Sequence, residues 1–157
     1  MKNIYLPSLE LYLPYEVNIH YKRPIYHSMA HISSSDKAVE YLRHFIDADT
    51  LDHKEYFWVL LLNRANRLLG ISEIGKGSDV GVVINHKEIF QLILRTNAIS
   101  FIVAHNHPSG QLKISQADKK ETQKLLKMSK ILNFNFLDHI IITSESHYSF
   151  ADNEQMY

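Results

Sequence analysis

The pattern of hydrophobic and polar positions predicts three helices along this chain. They cover about 36–47, 87–96 and 116–132. Ser33 to Asp36 offer N-cap residues for the first helix, and Ser115 opens the third,. Apolar residues at helical spacing in the first two helices indicate that each packs one face against a common core.

Short apolar segments between the helices are predicted to be strands of one sheet. They cover 55–62, 67–74, 82–84, 100–104, 136–143 and 148–150. The first is an aromatic and aliphatic segment too short for a free helix and suited to a buried strand. Mixed helices and strands, with no repeat and no low-complexity tract, predict a single domain of the α/β (α+β) class.

The first 32 residues differ from the rest because they are rich in tyrosine and proline and show no helical period. Val17, Ile19 and Tyr21 alternate with polar neighbours, so a short strand is predicted there. The remainder is predicted to be an arm lying on the domain, which itself covers 33–157. The arm contains Tyr5, Tyr12, Tyr15 and Tyr21. These tyrosines could contact a second copy of the chain, but tyrosines in such an arm more often pack on their own domain.

Composition narrows the classes of function. Seventeen basic and seventeen acidic residues give a formal charge of zero, whereas nucleic-acid-binding proteins usually carry a basic excess,. The chain has no cysteine, which excludes thiolate metal sites and cysteine nucleophiles,. No apolar segment approaches the roughly 18 residues of a membrane span, and the N-terminus does not resemble a signal peptide. We therefore expect a soluble, cytoplasmic protein that binds neither nucleic acid nor membrane.

Two of the ten histidines stand at a spacing typical of metal ligands. His105 and His107 lie two apart at the end of an apolar strand, so both imidazoles should point to the same side. Pro108 biases His107 towards the extended conformation that this requires. Asn106 and Ser109 are interpreted as loop formers that hydrogen-bond the turn. The other histidines are isolated in sequence, and the pair Asp138-His139 is interpreted as structural rather than as a partner of the ligands.

Asp118 is the predicted third ligand, because the first turn of the following helix can fold back over the strand end. Ser115-x-x-Asp118 is also a capping box, which needs no metal. The complete spacing His105-x-His107-x7-Ser115-x2-Asp118 favours the metal site. Zinc accepts imidazole and carboxylate ligands, and its catalytic sites keep three protein ligands plus water.

This string resembles the JAMM (MPN+) metalloprotease motif, and the segment from His105 to Gly110 with its flanks resembles the RadC-like branch of JAB-domain proteins. The resemblance runs from Ile32 to Ala151. It implies a JAB/MPN-type (cytidine deaminase-like) fold, a central mixed β-sheet flanked by helices. It also implies Zn2+ on His105, His107 and Asp118, and hydrolysis of an amide or isopeptide bond in a peptide or protein substrate.

The resemblance also suggests two catalytic side chains. In the family the general base is a glutamate near the start of an early strand that follows a helix, which matches Glu55. Glu73 is the competitor, but its surroundings match the family less well. Glu55 would take a proton from water activated by the metal, and Ser115 would donate a hydrogen bond to the oxyanion of the tetrahedral intermediate.

Three other functions compete with a zinc hydrolase. The first is a catalytically idle metal-binding module, associated with DNA repair or mobile-element functions. The second is an HNH nuclease, suggested by the adjacent residues His105, Asn106 and His107. Nucleases of that class spread the three residues over a longer unit, so the match to their name is a coincidence. The third is a metal-free domain. Longer relatives carry a helix-hairpin-helix region ahead of this domain, and this chain is expected to be a short form without it.

Overall fold

The computed structural model describes residues 17–77 and 83–156. Its helices and strands are α1 (Ser35–Phe45), β1 (Tyr56–Leu62), β2 (Leu68–Lys76), α2 (His86–Thr96), β3 (Ser100–Asn106), α3 (Gln116–Leu132), β4 (Asn135–Ile142) and β5 (His147–Ser149). Single 3-10 turns cover Tyr26–Ser28 and Ala48–Thr50. The three predicted helices and the predicted α/β class are confirmed, and five of the predicted strands are present within a residue or two of their expected bounds.

The five strands form one mixed sheet in the order β2-β1-β3-β4-β5. Only β3 and β4 are parallel, and α3 connects them as a crossover helix,. Because β1 runs antiparallel to β3, Phe57 near the start of β1 pairs with His105 near the end of β3. The segment just before β1 therefore lies beside the C-terminal end of β3.

Helices cover both faces of the sheet. On one face α1 contributes Ala38, Val39 and Leu42 to a core shared with alternate residues of β1. On the other face α2 and α3 pack over the intervening residues of β1, including Phe57 and Val59. All seven residues of β1 and all seven of β3 are buried. This explains why both strands read as continuous apolar segments rather than as alternating ones.

Two predicted strands are wrong in the described residues. Residues 17–21 are irregular, and Val17 and Ile19 are 90% and 75% exposed. Alternating apolar residues make a strand only where one face becomes buried against a partner. Of the predicted strand 82–84, Val82 lies outside the described residues, while Val83 and Ile84 are irregular and lead into Asn85, the N-cap of α2.

The end of the predicted arm is joined to the sheet. The Leu68 N–H donates to the Ala30 carbonyl at 2.8 Å, and the Ile32 N–H donates to the Asn66 carbonyl at 2.9 Å. Tyr5, Tyr12 and Tyr15 lie outside the described residues, so their suggested homodimer contact stays a prediction, as does the domain boundary at residue 33. Across the described part of the chain, no helix combines the length and the apolar character needed to cross a bilayer.

Candidate metal centre

Three side chains converge at the C-terminal end of β3. His105 Nε2 lies 3.0 Å from His107 Nε2 and 3.3 Å from Asp118 Oδ1. One ligand atom from each of the three residues lies within 4.8 Å of the others. Within residues 17–77 and 83–156 this is the one group of three or more histidine, cysteine or acidic side chains placed to hold a metal ion.

The backbone after β3 explains why both imidazoles leave on the same side. The His107 N–H donates to the Ile142 carbonyl at 3.0 Å, which continues the pairing with β4 one residue beyond the strand. The chain then turns back, and the Gly110 N–H donates to the His107 carbonyl at 3.0 Å. Gly110 has φ +74°, a conformation that residues with a Cβ adopt with difficulty,. His107 is thus held extended up to the turn.

Asp118 serves as the third residue of a capping box and still faces the histidines. Its N–H donates to Ser115 Oγ at 3.1 Å, and its Oδ2 accepts from the Ser115 N–H at 2.6 Å. The other carboxylate oxygen, Oδ1, faces His105. The cap and the metal site are therefore compatible, because each uses a different carboxylate oxygen.

The surroundings of Asp118 keep its carboxylate ionised. Burial alone would raise its pKa, but the neighbouring His105 imidazole and the Ser115 hydrogen bonds lower the pKa of Asp118 well below its usual range,. Metal binding requires a deprotonated carboxylate. The side chain is therefore in the state in which it could serve as a ligand.

A hydrogen bond at Nδ1 of His107 orients the ring so that Nε2 faces His105 and Asp118. His107 Nδ1 lies 2.7 Å from the Gln111 carbonyl, and a carbonyl can only accept, so Nδ1 is the donor,. The other ring nitrogen, Nε2, then faces His105 Nε2. Two imidazole nitrogens and a carboxylate oxygen that converge in this way could hold a metal ion. The donor set fits zinc, which binds imidazole and carboxylate.

A cleft of about 420 Å³ adjoins His107, and its walls also include Glu55 and Ser115. Glu55 is half-buried and directly precedes β1. Glu73 is exposed on β2 and lines a separate hollow beside Tyr56 and Trp58. The structure therefore brings Glu55 and Ser115 to the cleft of His107 and leaves Glu73 outside it.

Asn106 does not bond the turn that follows it, contrary to the expectation from the sequence. Its side chain is fully buried and reaches across to the segment before β1. Nδ2 donates to the carbonyls of Leu51 and Lys54 at 2.6 and 2.7 Å, and Oδ1 accepts from the Tyr56 N–H at 2.6 Å. Asn106 therefore holds the backbone on both sides of Glu55. Ser109 does bond the turn, since its Oγ accepts from the Gln111 N–H.

The neighbours Asp138 and His139 point to different parts of the molecule. Asp138 accepts from the Ser149 hydroxyl at 2.6 Å and from the Ala151 N–H at 2.9 Å, which ties β4 to β5. Burial raises the pKa of Asp138 to about 6, although these hydrogen bonds oppose the shift. Asp138 thus has the structural role expected for the pair.

His139 contacts the candidate ligand His105 instead. Its Nε2 lies 2.8 Å from His105 Nδ1, and its Nδ1 lies 2.7 Å from the hydroxyl of Thr122. Complete burial holds the pKa of His139 well below its usual value,. The sequence gives a signal for Thr122 alone, which follows Asp118 by four residues and so lies on the same face of α3.

Comparison with known proteins gives one family. Residues 32–156 match the model of the RadC-like JAB domain. A protein of Flavobacterium johnsoniae named UPF0758 protein is 43% identical over 102 residues, which is 65% of this chain and 44% of the relative. UPF0758 proteins of Coprothermobacter proteolyticus and Chlorobium phaeovibrioides are 35% and 31% identical, over 78% and 95% of this chain and 52% and 65% of their own lengths. The chain spans about half the length of the curated relatives it matches.

Proposed function

We propose, from the premise that this chain belongs to the family of RadC-like JAB domains, that it is a zinc-dependent hydrolase of amide or isopeptide bonds. The observation that carries the proposal is the convergence of His105, His107 and Asp118, with His107 lining a cleft that Glu55 and Ser115 also line. A metal group alone would suit a binding module, but an adjacent carboxylate and hydroxyl are what hydrolysis of an acyl group needs.

Three atoms would hold the ion: Nε2 of His105, Nε2 of His107 and Oδ1 of Asp118. When bound, zinc supplies Lewis acidity and lowers the pKa of water to about 7. The remaining Asp118 oxygen is held by the Ser115 N–H. That bond keeps the carboxylate oriented, so Ser115 contributes to the metal site through its backbone as well.

Glu55 is the proposed general base. Its side chain is half-buried at the wall of the cleft, where a carboxylate can take a proton from the attacking water and pass it to the leaving nitrogen,. The three hydrogen bonds of Asn106 fix the backbone around Glu55 relative to the end of β3. These bonds therefore hold the backbone of the proposed base at a fixed distance from the proposed ligands.

Ser115 is the proposed oxyanion donor. Its Oγ accepts a hydrogen bond from the Asp118 N–H, while its own hydrogen lies within reach of the Asp118 carboxylate and can rotate towards a substrate,. That hydrogen can be donated to the substrate oxygen that becomes negative as the carbonyl is attacked. The substrate would be a peptide or protein whose scissile bond enters the cleft.

The experiment that tests this function compares Glu55→Gln with Glu73→Gln. The second variant is the control, because it also replaces one glutamate of the sheet region by glutamine. Both zinc-loaded variants are incubated with libraries of peptides and isopeptide-linked peptides, and products are detected by mass spectrometry. We expect Glu55→Gln to bind zinc normally and to lose about 100-fold or more of the hydrolysis rate. Glu73→Gln should keep both properties.

Two results would contradict the proposal. Wild-type protein that binds zinc but cleaves nothing in either library would indicate a metal-binding module without catalysis. Undiminished hydrolysis by Glu55→Gln would remove the assigned base, and loss in Glu73→Gln alone would transfer that role to Glu73.

A further inference from the structure

A buried line of hydrogen bonds runs from the backbone of Asp118 through Thr122 and His139 to His105. We propose that Thr122 and His139 are positioning residues that keep the hydrogen of His105 on Nδ1, so that the Nε2 lone pair is offered to a cation. This inference rests on the proposed metal site. It assigns a role to two residues that do not touch the ion.

The direction of the line is set at Thr122, whose hydroxyl has one hydrogen to give. Thr122 Oγ1 lies 2.8 Å from the Asp118 carbonyl and 2.7 Å from His139 Nδ1. Without a hydrogen between them, two oxygens at 2.8 Å would set lone pairs against each other. The carbonyl cannot donate, so the hydroxyl donates to it and must accept from His139 Nδ1.

The next step fixes the His139 ring. His139 has no exposed surface and lies between the rings of Phe57 and Phe150, at centroid distances of 5.9 and 4.8 Å. An imidazole in such apolar surroundings is neutral, because a buried charge without a bonded counter-ion is costly. With its single hydrogen on Nδ1, His139 must accept at Nε2.

The last step reaches the candidate ligand. His105 Nδ1, at 2.8 Å from His139 Nε2, must be the donor. Its Nε2 is then the nitrogen left to face Asp118 Oδ1 and His107 Nε2. The line begins on the backbone of Asp118 and ends beside the Asp118 side chain. The tautomer of one ligand thus depends on the helix that supplies another ligand.

Thr122→Val is the informative variant because it keeps the branched shape and removes the hydroxyl. His139 Nδ1 then loses its acceptor, and the proton is expected to move to Nε2 and be donated to His105 Nδ1. His105 would carry its own hydrogen on Nε2, where it obstructs a metal. We expect weaker zinc binding by about 10- to 100-fold. Thr122→Ser should behave as wild type.

Ser129→Ala is the matched control, since Ser129 is also buried on α3 and its hydroxyl also bonds a helix carbonyl, that of Leu126. It should bind zinc as tightly as wild type. The His105 tautomer is read from ¹⁵N chemical shifts of the metal-free protein at about pH 8, above the ordinary histidine pKa of about 6.5. Zinc affinity is read from competition with a chelator.

The wild-type spectrum decides the inference even if Thr122→Val does not fold. A hydrogen on Nδ1 of His105 supports it, and a ring protonated on Nε2 alone overturns it. In a folded Thr122→Val, unchanged zinc affinity also overturns it. If the wild-type tautomer is as inferred but no zinc binds, the proposed function fails and the tautomer assignment stands.

Discussion

Two histidine–carboxylate groups lie against α3, and they differ in what they present to their surroundings. In the first, His105 and His107 approach Asp118 in the first turn of the helix. In the second, His86 at the start of α2 approaches Glu121 at 2.5 Å, and Lys124 Nζ lies 3.3 Å from His86 Nδ1. Both groups combine imidazole with carboxylate, yet only the first has the arrangement of a metal centre.

The far nitrogen of each ring accounts for the difference. Lysine can only donate, so His86 accepts at Nδ1 and carries its hydrogen on Nε2, towards Glu121,. A proton already occupies the space between ring and carboxylate, and the charge of Lys124 opposes a cation there. At His107 an acceptor lies behind the ring, so Nδ1 donates to it and Nε2 faces the other two candidate ligands. The group behind the ring therefore separates a hydrogen-bonded pair from a candidate metal ligand.

Removal of metal should give the largest effect. At free zinc about 1,000 times its Kd, binding stabilises the folded state by about 4 kcal/mol. A chelator should remove that stabilisation, as measured by chemical denaturation with and without zinc. The group around His86 should contribute nothing to it, so His86→Ala should show the same zinc-dependent shift. A shift lost in His86→Ala would contradict the distinction between the two groups.

A matched pair of substitutions on α3 should give the next effect. Asp118→Asn and Glu121→Gln each replace a carboxylate by an amide, one turn apart. We expect Asp118→Asn to weaken zinc binding by more than about 100-fold, since even residues behind the ligands are worth 10- to 100-fold. Glu121→Gln should leave the affinity measured by chelator competition unchanged, and equal losses would show that the two groups are not distinct.

Asn106→Ala should show whether the backbone around Glu55 can be loosened without changing the orientation of the proposed ligands. It leaves two carbonyls and one N–H unpaired near Glu55, so we expect a loss of about 2 kcal/mol in the free energy of unfolding. Amide exchange should accelerate in 51–56, while zinc affinity changes little, because the nitrogens behind His105 and His107 keep their partners. Exchange measured by mass spectrometry checks the first point. A large loss of zinc would mean that the strand, rather than those partners, orients the ligands.

The smallest effect is expected for the hydrogen bond between His86 and Glu121. His86 and Glu121 are partly buried, with 15% and 18% of their side chains exposed. Glu121→Gln should cost about 1 kcal/mol or less of unfolding free energy, and the cost should shrink as salt is added. Denaturation at low and high salt tests this, with Asp118→Asn in metal-free protein for comparison. A salt-independent cost of several kcal/mol would make the pair a structural centre in its own right.

Most of the fold could be predicted because its local signals agree with its packing. β1 and β3 are buried on both faces, so their sequences are continuously apolar, and Ser115 begins α3 with a complete capping box. The predicted strand over residues 17–21 failed because alternation is a local pattern, and the buried face it implies is absent from that part of the described chain.

In the candidate site, too, some residues could be predicted from local patterns and others could not. His105, His107, Ser115 and Asp118 could be predicted because they are close in sequence and their spacing reflects a strand end and a helix start. The contacts of His139 and Asn106 could not, because they join residues 34 and 50 or more positions apart. Such contacts depend on the register of neighbouring strands, which no local pattern reveals.

The β3–α3–β4 crossover carries all three candidate ligands together with Thr122 and His139, whereas Glu55 comes from a separate part of the chain. The proposed metal capture and the proposed bond cleavage therefore draw on different segments of the chain. On the proposed roles, a descendant that lost Glu55, or the Asn106 bonds that hold its backbone, would still bind metal but would no longer cleave a substrate. The residues around position 55 would then distinguish the two kinds of chain.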